Sequence, residues 1–514
     1  MPEPRQPSQS TSATAWGELP RPERPLSLTG DAGADVCVVG GGIAGLSVAY
    51  HVARQGQRVI VLERAELGSG DSGVTTAHLS SALDERYSEL ESDLGAESAR
   101  LAYDSHQAAI EAIDRTVVEE AIECDFTRLD GYLFLGPGES PDLLDAERAA
   151  ARRAGFADVE RVESIPGVPF DSGPALRFPR QGRLQPLAYL GGLARAIERL
   201  GGRIAIGAPV VEMTGGRGAH VRTAAGARVF ADHLVVATNS PANDLVVVNS
   251  QQSPYRTYAL SGPVPPGSVA DALYWDTEDP YHYVRLHREP SGREVLVVGG
   301  EDHPSGEDYR GGQRHSRLED WARLRFALER VEHRWSGQVM EPNDGLAFLG
   351  RNPLDADNVY VVSGDSGHGM THGTIAGLLI ADLVAGRSNP WVRLYDPSRL
   401  NGAAIAEQLR IGADILGRYA RWIVPQEEEA GSFDEVAPGD GMIVRRGGVP
   451  IAAYREPDGT LHTFAAACTH LACPVAWNDV ERSWDCPCHG SRFAATGEVL
   501  RGPARTPLVP WGRR

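Results

Sequence analysis

The sequence predicts an α/β fold that carries an inserted α+β subdomain and ends in a small all-β domain. An apolar strand, a glycine turn and an amphipathic helix run from 35 to 56. A second strand, glycine turn and helix occupy 358–384, and short strands separated by turn residues fill the stretch after 431. Strands that alternate with helices indicate a layered α/β sheet, whereas closely spaced short strands indicate an antiparallel β domain.

Length and charge narrow the classes of function. The chain has 514 residues and 42% apolar content, which is enough to bury the cores of two or three domains. A net charge of −19 and a pI near 5.3 argue against nucleic acid and anionic membranes as partners. No stretch reaches the roughly 18 consecutive apolar residues of a membrane span, and no secretion signal is visible. The sequence therefore predicts a cytoplasmic protein with no integral membrane segment.

Residues 1–30 predict a disordered tail. Six prolines stand there among polar and charged residues, a composition that cannot bury enough surface to offset the entropy of ordering. Trp16 is the one aromatic residue in this stretch, and a lone aromatic in such a tail is usually exposed.

The first strand, turn and helix match the fingerprint of a dinucleotide-binding βαβ unit. Gly40 permits the tight turn, Gly42 lets the backbone approach a pyrophosphate, and Gly45 lets the helix pack close to the sheet. The next predicted strand ends in Glu63, which would accept hydrogen bonds from the ribose hydroxyls. NAD and FAD both use this fingerprint, so it leaves the choice between them open.

Two further segments favour FAD. The run Leu67-Gly-Ser-Gly-Asp-Ser-Gly-Val-Thr-Thr76 follows the acidic residue, and Asn358-Val-Tyr-Val-Val-Ser-Gly-Asp-Ser-Gly-His-Gly-Met-Thr371 precedes the helix near 375–384. Together they resemble the D-amino-acid oxidase-like flavoproteins of the glycine oxidase and glutamylputrescine oxidase group. The resemblance covers about residues 33–390 and implies a Rossmann-like FAD-binding domain. It also implies an inserted substrate subdomain over roughly 80–200 and 245–340.

The same resemblance implies further FAD-binding residues. They lie in the glycine turn, after the second strand, in the run up to Thr76, on two central strands and in the downstream turn: Ala44, Arg64, Thr75, Thr76, Val210, Thr238, Gly364, Gly369, Met370 and Thr371.

Near the C-terminus, two short motifs combine cysteine with histidine. Cys468-Thr-His470 is followed after fifteen residues by Cys486-Pro-Cys-His489. Two thiolates and two imidazoles can hold a [2Fe–2S] cluster, with both cysteines on one iron and both histidines on the other. Two Cys and two His can also bind zinc. Zinc fingers, however, usually pair Cys with Cys and His with His, whereas each motif here carries both residue types.

These motifs resemble the cluster loops of Rieske domains of the cytochrome bc type. The resemblance implies that Cys468, His470, Cys486 and His489 are the iron ligands and that Cys473 and Cys488 form a disulfide. It also implies that Ser491 donates a hydrogen bond to a cluster sulfide. Phe493 stands where many members of the family have Tyr, which predicts a lower reduction potential here.

The catalytic residues are less clearly marked. Amino-acid oxidases of the resembled family bind the substrate carboxylate with an arginine before an Asp-Gly pair, but the run 335–345 contains none. This favours an amine without a nearby carboxylate, unless Arg285 supplies the clamp from another strand. His303 lies in a group of ionisable residues at a predicted strand end and is a candidate for acid–base work.

These observations predict an FAD-dependent oxidoreductase that oxidises a small amine-type substrate and passes electrons through a Rieske [2Fe–2S] cluster to an unknown acceptor. Two alternatives stay open: an amine oxidase that uses O2 directly with an accessory Rieske module, and a non-catalytic redox sensor. The predicted domains are a tail (1–30), an oxidoreductase domain (31–400), a helix and linker (401–430) and a Rieske domain (431–514).

Overall fold

The computed structural model describes residues 13–241, 248–306, 311–399 and 431–512. The predicted helix and linker at 401–430 lie outside the described residues. In chain order, the described strands are β1 Ala32–Val39, β2 Val59–Leu62, β3 His78–Leu79, β4 Thr127–Phe134, β5 Glu160–Val162, β6 Ala175–Arg183, β7 Arg203–Ala205, β8 Val210–Thr214, β9 His220–Thr223, β10 Arg228–Val236, β11 Gln252–Pro263, β12 Leu273–Asp276, β13 His282–Arg288, β14 Glu294–Pro304, β15 His333–Pro342, β16 Phe348–Arg351, β17 Val359–Ser363, β18 Gly441–Arg446, β19 Val449–Arg455, β20 Leu461–Ala465, β21 Ala476–Asn478, β22 Ser483–Asp485, β23 Arg492–Ala494 and β24 Val499–Arg501.

Seven α-helices are described. Six of them connect strands of the first two sheets, and the last follows the final strand of the first sheet. They are α1 Ile43–Arg54, α2 Tyr87–Leu94, α3 Ala96–Glu119, α4 Asp142–Arg153, α5 Pro186–Arg199, α6 Gly311–Arg325 and α7 Gly369–Val384.

The first sheet is the predicted doubly wound core. Its order is β16-β17-β10-β1-β2-β7, with the β8–β9 hairpin attached to β10, and the five strands from β17 to β7 are parallel. Strands β1, β2 and β17 are almost entirely apolar because helices cover the sheet. Helix α7 packs directly on α1, and Gly377 allows this contact, since a Cβ there would lie 2.9 Å from the Ser47 carbonyl oxygen.

The second sheet forms the inserted subdomain. Its order is β15-β11-β14-β13-β12-β4-β6-β3 with β5 beside β6, and every pair except β4–β12 is antiparallel. Its strands come from two stretches, 78–183 and 252–342, on either side of the segment that returns to the first sheet. One face of this sheet packs under α6 around Tyr258, Leu260 and Trp321.

The C-terminal domain contains a three-stranded sheet, β18-β19-β20, and a four-stranded sheet, β21-β22-β23-β24, both antiparallel. Buried Trp477, Trp484 and Phe493 fill the space between them. The predicted fold class, an α/β domain with an inserted α+β subdomain followed by a small all-β domain, is confirmed.

The N-terminal segment differs from the predicted tail from residue 13 onward. Trp16 is only 3% exposed, and its Nε1 donates to the Thr75 carbonyl oxygen at 2.8 Å. The Leu26 N–H donates to the Ile204 carbonyl oxygen at 2.7 Å. Composition favoured a tail because the stretch is proline-rich, but one tryptophan supplies enough apolar surface to hold the chain against the body.

Across the described ranges, no helix is both long enough and apolar enough to cross a membrane.

Candidate redox active site

A cavity of about 430 Å³ opens at the carboxyl ends of the central parallel strands. Val39, Leu62, Ala237 and Ser363 line it, and each stands at or next to the end of its strand. This is the edge at which open α/β sheets bind their ligands.

The glycine turn between β1 and α1 has no space for side chains. A Cβ on Gly40, where φ is +117°, would lie 2.1 Å from the Ala237 carbonyl oxygen. A Cβ on Gly45 would lie 2.0 Å from the Gly40 carbonyl oxygen. The turn therefore brings α1 against the sheet and directs the helix N-terminus at the cavity, where backbone N–H groups attract anions.

Two side chains fix the geometry around this turn. The Glu63 carboxylate accepts from the Gly41 N–H at 2.6 Å and from the Ala65 N–H at 2.8 Å. A carboxylate has lone pairs beyond these two bonds, so Glu63 keeps acceptors for ribose hydroxyls. Ser72 Oγ accepts from the N–H of Ile43, the first residue of α1, at 2.9 Å.

Most of the predicted FAD-binding residues line the cavity. The lining includes Gly40, Gly42, Ala44, Glu63, Arg64, Thr75, Thr76, Val210, Thr238, Gly369 and Met370. Gly45, Gly364 and Thr371 do not line it. Thr371 is 1% exposed and donates to the His368 carbonyl oxygen at 3.1 Å, so its hydroxyl closes the first turn of α7.

The opposite end of the cavity is polar and acidic. Asp302, Tyr281, Tyr283 and Thr257 line it. Thr257 Oγ1 and the Tyr283 hydroxyl share a hydrogen bond at 2.8 Å, while Asp302 Oδ1 is buried without a hydrogen-bond partner in the described part of the chain. Burial raises the pKa of Asp302 to about 7, because the ionised carboxylate has lost its water.

His368 and Asp84 form a pair at the same end. The Asp84 N–H donates to His368 Nε2 at 3.1 Å, and the Asp84 carboxylate lies 3.4 Å from that nitrogen. The Tyr281 hydroxyl donates to Asp84 at 3.0 Å. Burial acts to lower the pKa of His368, but Asp84 outweighs it and the pKa is raised. His78, also in the lining, has its pKa lowered to about 3 by burial and stays neutral.

The structure does not bring the two predicted catalytic candidates to the cavity. Arg285 is completely buried, and its guanidinium donates to the carbonyl oxygens of Thr76, Leu286 and Leu184. It is therefore a structural residue and cannot clamp a substrate carboxylate. His303 contacts the Tyr258 hydroxyl at 3.1 Å on the other side of β14, because successive side chains of a strand point to opposite faces.

The two predicted cluster loops meet in the C-terminal domain. Cys468 and Cys486 are buried beside each other, and the rings of His470 and His489 lie edge to face with centroids 5.1 Å apart. His489 Nδ1 is buried and has no hydrogen-bond partner among the described residues. Burial lowers the pKa of His489 to about 4, which keeps the imidazole neutral, as a metal ligand must be.

The residues around these loops also follow the expected pattern. Cys473 and Cys488 form a disulfide with a Cα–Cα distance of 6.4 Å. Ser491 Oγ accepts from the Ala504 N–H at 3.0 Å, so its own O–H remains to donate toward the loops. Phe493 is fully buried in the same core and offers no hydroxyl.

Both sets of residues fit their groups. The first has a glycine cradle that a Cβ would obstruct, a helix N-terminus and an acidic residue placed for ribose, as FAD requires. The second brings two buried thiols together with the buried His489 and the partly exposed His470, which is the donor set of a [2Fe–2S] cluster of this type.

The cluster loop lies against the wall of the cavity. Ser240 Oγ donates to the His489 carbonyl oxygen at 3.1 Å, and Gln338 Nε2 donates to the Gly490 carbonyl oxygen at 3.2 Å. Ser240 and Gln338 both line the cavity. One predicted iron ligand is thus a single hydrogen bond away from a residue that faces the FAD site.

Buried polar contacts fix the two domains together. Arg256 pairs with Asp485 at 2.8 Å, and these side chains are 2% and 7% exposed. The Ser336 hydroxyl donates to Glu481 at 2.8 Å. Arg501 of the C-terminal domain pairs with Asp71 in the cavity lining.

Sequence reasoning missed several of these residues. Asp302 is the neighbour of the chosen His303 in sequence. Adjacent side chains of a strand point to opposite faces, and the sequence alone does not show which face of β14 is turned to the cavity. Ser72 and Asp71 lie in the quoted run that ends at Thr76. Their hydroxyl and carboxylate could have been predicted to lie at the FAD site. Arg501 had none, since its partner Asp71 is 430 positions away.

Comparison with known proteins agrees with this geometry. The profile of the FAD dependent oxidoreductase family (DAO) matches residues 35–383, and that of the Rieske [2Fe-2S] domain matches residues 427–511. The chain is 29% identical over 486 residues to YhfW of Bacillus subtilis (strain 168), and the match covers 94% of each chain. YhfW is described as a Rieske 2Fe-2S iron-sulfur protein.

Two further relatives match the oxidoreductase part. Gamma-glutamylputrescine oxidoreductase of Escherichia coli (strain K12) is 28% identical over 365 residues, covering 68% of this chain and 84% of the relative. The crystal structure of glycine oxidase from Geobacillus kaustophilus has the same fold, with a TM-score of 0.62 at 21% identity over 72% of this chain and all of that one. The chain therefore belongs to the FAD dependent oxidoreductase family and carries a C-terminal Rieske [2Fe–2S] domain.

Proposed function

We propose that this oxidoreductase removes electrons from an amine at the FAD site and passes them through its own Rieske cluster to an external acceptor. When bound, FAD supplies a two-electron acceptor for a C–N bond, and the cluster supplies a one-electron carrier. The predicted residues that line the cavity are the proposed FAD contacts, and Cys468, His470, Cys486 and His489 are the proposed iron ligands.

The observation that supports the relay is the contact between the cluster loop and the cavity wall. His489 and Gly490 are hydrogen-bonded through their carbonyl oxygens to Ser240 and Gln338, which both face the cavity. Electron transfer becomes rapidly slower as two centres move apart. A cluster held one residue from the FAD site therefore favours direct exchange within one chain.

The acidic end of the cavity favours an amine without an α-carboxylate. Of the described residues that line the cavity, the arginines are Arg64, Arg501 and Arg505, and they lie beside Glu63, Asp71 and Val211 at the nucleotide end. Beside Asp302 the lining offers no guanidinium to pair with a carboxylate. One relative is named for gamma-glutamylputrescine, whose terminal primary amine has no carboxylate on the carbon that bears it.

Asp302 is the residue that we propose binds the amine. Its Oδ1 is buried without a protein partner, which is costly unless a ligand donates to it. An ammonium group would supply that donor. With a pKa raised to about 7, the carboxylate can also accept a proton from the ammonium near neutral pH, leaving the free amine for oxidation.

Anaerobic stopped-flow reduction tests the relay. The holoenzyme is mixed with putrescine, gamma-glutamylputrescine or glycine, and flavin absorbance is followed together with the EPR signal of the reduced cluster. We expect putrescine and gamma-glutamylputrescine to bleach the flavin, with the EPR signal of the reduced cluster appearing in the same reaction. Glycine should react at least about 10-fold more slowly.

Photoreduction of the flavin provides the control, since it needs no substrate. If flavin reduced by light never yields the cluster EPR signal, the relay is wrong. If the enzyme instead forms peroxide in air at the same rate with and without an oxidised cluster, it is an oxidase that uses O2 directly. Failure of all three substrates with successful photoreduction would contradict only the choice of substrate.

A further inference from the structure

The C-terminal domain covers part of the FAD cavity. Strand β24 and the residues after it form what we call the 499–505 segment, and five of its residues line the cavity: Val499, Arg501, Gly502, Ala504 and Arg505. The Arg64 guanidinium donates to the Leu500 carbonyl oxygen, and Arg505 donates to the Val211 carbonyl oxygen at 3.3 Å. The segment thus spans from the end of β2 to the start of β8 over the nucleotide end.

Arg501 lies close to the place where a dinucleotide presents its diphosphate. The N-terminus of α1 is marked by Ser72, whose Oγ accepts from the Ile43 N–H at 2.9 Å. The residue next to Ser72 is Asp71, and its carboxylate pairs with the Arg501 guanidinium. Because the pyrophosphate of a bound dinucleotide faces the N-terminus of this helix, Arg501 stands beside an anion site.

The other bonds of Asp71 hold this pair in position. Asp71 Oδ1 accepts from the Gln338 N–H at 2.9 Å, and Oδ2 accepts from Asn239 Nδ2 at 2.7 Å. The guanidinium cannot move away from the cavity without breaking its pair with this anchored carboxylate. Its position is therefore set before any ligand arrives.

Arg501 also has a donor that the protein does not use. Its Nε–H is buried and finds no acceptor in the part of the chain that the structure describes, although the side chain is only 11% exposed. Leaving such a donor unmatched is unfavourable, because the N–H has lost its water without gaining another acceptor. A phosphate oxygen is a suitable acceptor, since guanidinium groups bind phosphates through several N–H groups at once.

We propose that Arg501 binds the diphosphate of FAD, so that the two domains together form the FAD site. This inference rests on FAD binding alone and is independent of the proposed electron relay. It also gives the C-terminal domain a second role, because docking of that domain completes the cofactor site. FAD can then leave only after the 499–505 segment has moved.

The test is the affinity of the oxidised, full-length protein for FAD. FAD is removed and titrated back into the Arg501→Gln variant, and binding is followed by quenching of FAD fluorescence. Because one charge-assisted contact is lost, the dissociation constant should rise roughly 10- to 100-fold, which corresponds to about 1.4–2.8 kcal/mol. Arg446→Gln, an exposed arginine of the same domain, is the matched control and should bind FAD as the wild type does.

Two further measurements separate direct contact from indirect effects. The EPR spectrum of the reduced cluster should be unchanged in Arg501→Gln, which shows that the domain is folded. In Arg501→Gln the Asp71 carboxylate loses its partner and could itself repel FAD, so the double variant Asp71→Asn/Arg501→Gln is decisive. We expect FAD binding to stay weak in the double variant. Recovery of wild-type affinity, or a change of less than twofold in the single variant, would overturn the proposal.

Discussion

At the scale of single residues, the chemistry depends on where burial leaves a polar atom without a partner. Asp302 Oδ1, His489 Nδ1 and Arg501 Nε are buried and have no acceptor or donor among the described residues. Each of them faces a different expected ligand: an ammonium group, an iron and a phosphate. Other buried polar atoms of the described residues, such as Glu66 Oε2 and Ser268 Oγ, also lack a partner, so the expected ligands rest on the residues around these three atoms and not on the unmatched atoms alone.

The raised pKa of Asp302 predicts how activity depends on pH. Below about pH 7 the carboxyl group is protonated and cannot bind or deprotonate an ammonium group, so kcat/KM for putrescine should fall as the pH decreases through 7. In Asp302→Asn this limb should disappear, and kcat/KM at pH 8 should drop roughly 10- to 100-fold. Steady-state rates between pH 5.5 and 9 measure both effects.

Thermal stability is the independent check on Asp302. A carboxyl group whose pKa is raised on folding contributes stability at low pH and loses it as the pH rises through the folded pKa. The ligand-free Asp302→Asn variant should therefore be more stable than the wild type at pH 8 and similar to it at pH 4. A lower Tm for the variant at pH 8 would contradict the raised pKa.

Phe493 predicts a shift in reduction potential. It is fully buried in the core that contains Cys468 and Cys486, so a tyrosine there can place its hydroxyl near a ligand sulfur. One hydrogen bond of about 1 kcal/mol corresponds to roughly 40 mV for one electron, and the potential of Phe493→Tyr should rise by that order. Redox titration followed by EPR measures it, and an unchanged or lower potential would refute the expectation.

At the scale of elements, the βαβ unit and the cluster loops could be predicted because their signals are local. The glycines that α1 needs stand within six positions of one another, and the residues of each cluster loop are equally close in sequence. Helix α7 begins at Gly369 and not at the expected 375. Residues 369–374, which include two glycines, are also helical.

The close contact between α1 and its turn can be tested at Gly45. A Cβ there would lie 2.0 Å from the Gly40 carbonyl oxygen, which is backbone and cannot rotate away. Gly45→Ala should displace α1, lower stability by about 1–3 kcal/mol and reduce the flavin-to-protein ratio after purification. Gly30→Ala is the control, because nothing lies within 4 Å of a Cβ at that position. Full flavin content in Gly45→Ala would contradict the role of this contact.

At the scale of the whole molecule, the sequence could not predict how the domains meet. Arg256 and Asp485 are 229 positions apart, and neither carries a local signal of pairing. The same holds for Trp16, whose contact with Thr75 depends on the final shape of the body. Long-range contacts of single side chains are set by tertiary packing, and composition or periodicity does not report on it.

The buried pair Arg256–Asp485 predicts a defect in communication between the two domains. In Arg256→Gln, Asp485 keeps Arg492 as a partner, so the C-terminal domain should stay folded while its docking weakens. We expect electron transfer from photoreduced flavin to the cluster to slow roughly 10-fold, with the cluster potential unchanged.

Arg288→Gln, an exposed arginine at the end of β13, is the matched control for this variant. Wild-type transfer rates in Arg256→Gln would show that the ion pair does not hold the two centres in position.

The 499–505 segment covers the nucleotide end of the cavity, and this has a consequence for how the protein acquires FAD. The glycine turn before α1 is synthesised hundreds of residues earlier than this segment, so the nascent protein can bind its flavin while the cavity is still open on that side. Once the C-terminal domain has folded and docked, the 499–505 segment covers the bound flavin. Mature protein should thus retain FAD through prolonged dialysis and, once stripped, reload far more slowly than diffusion would allow.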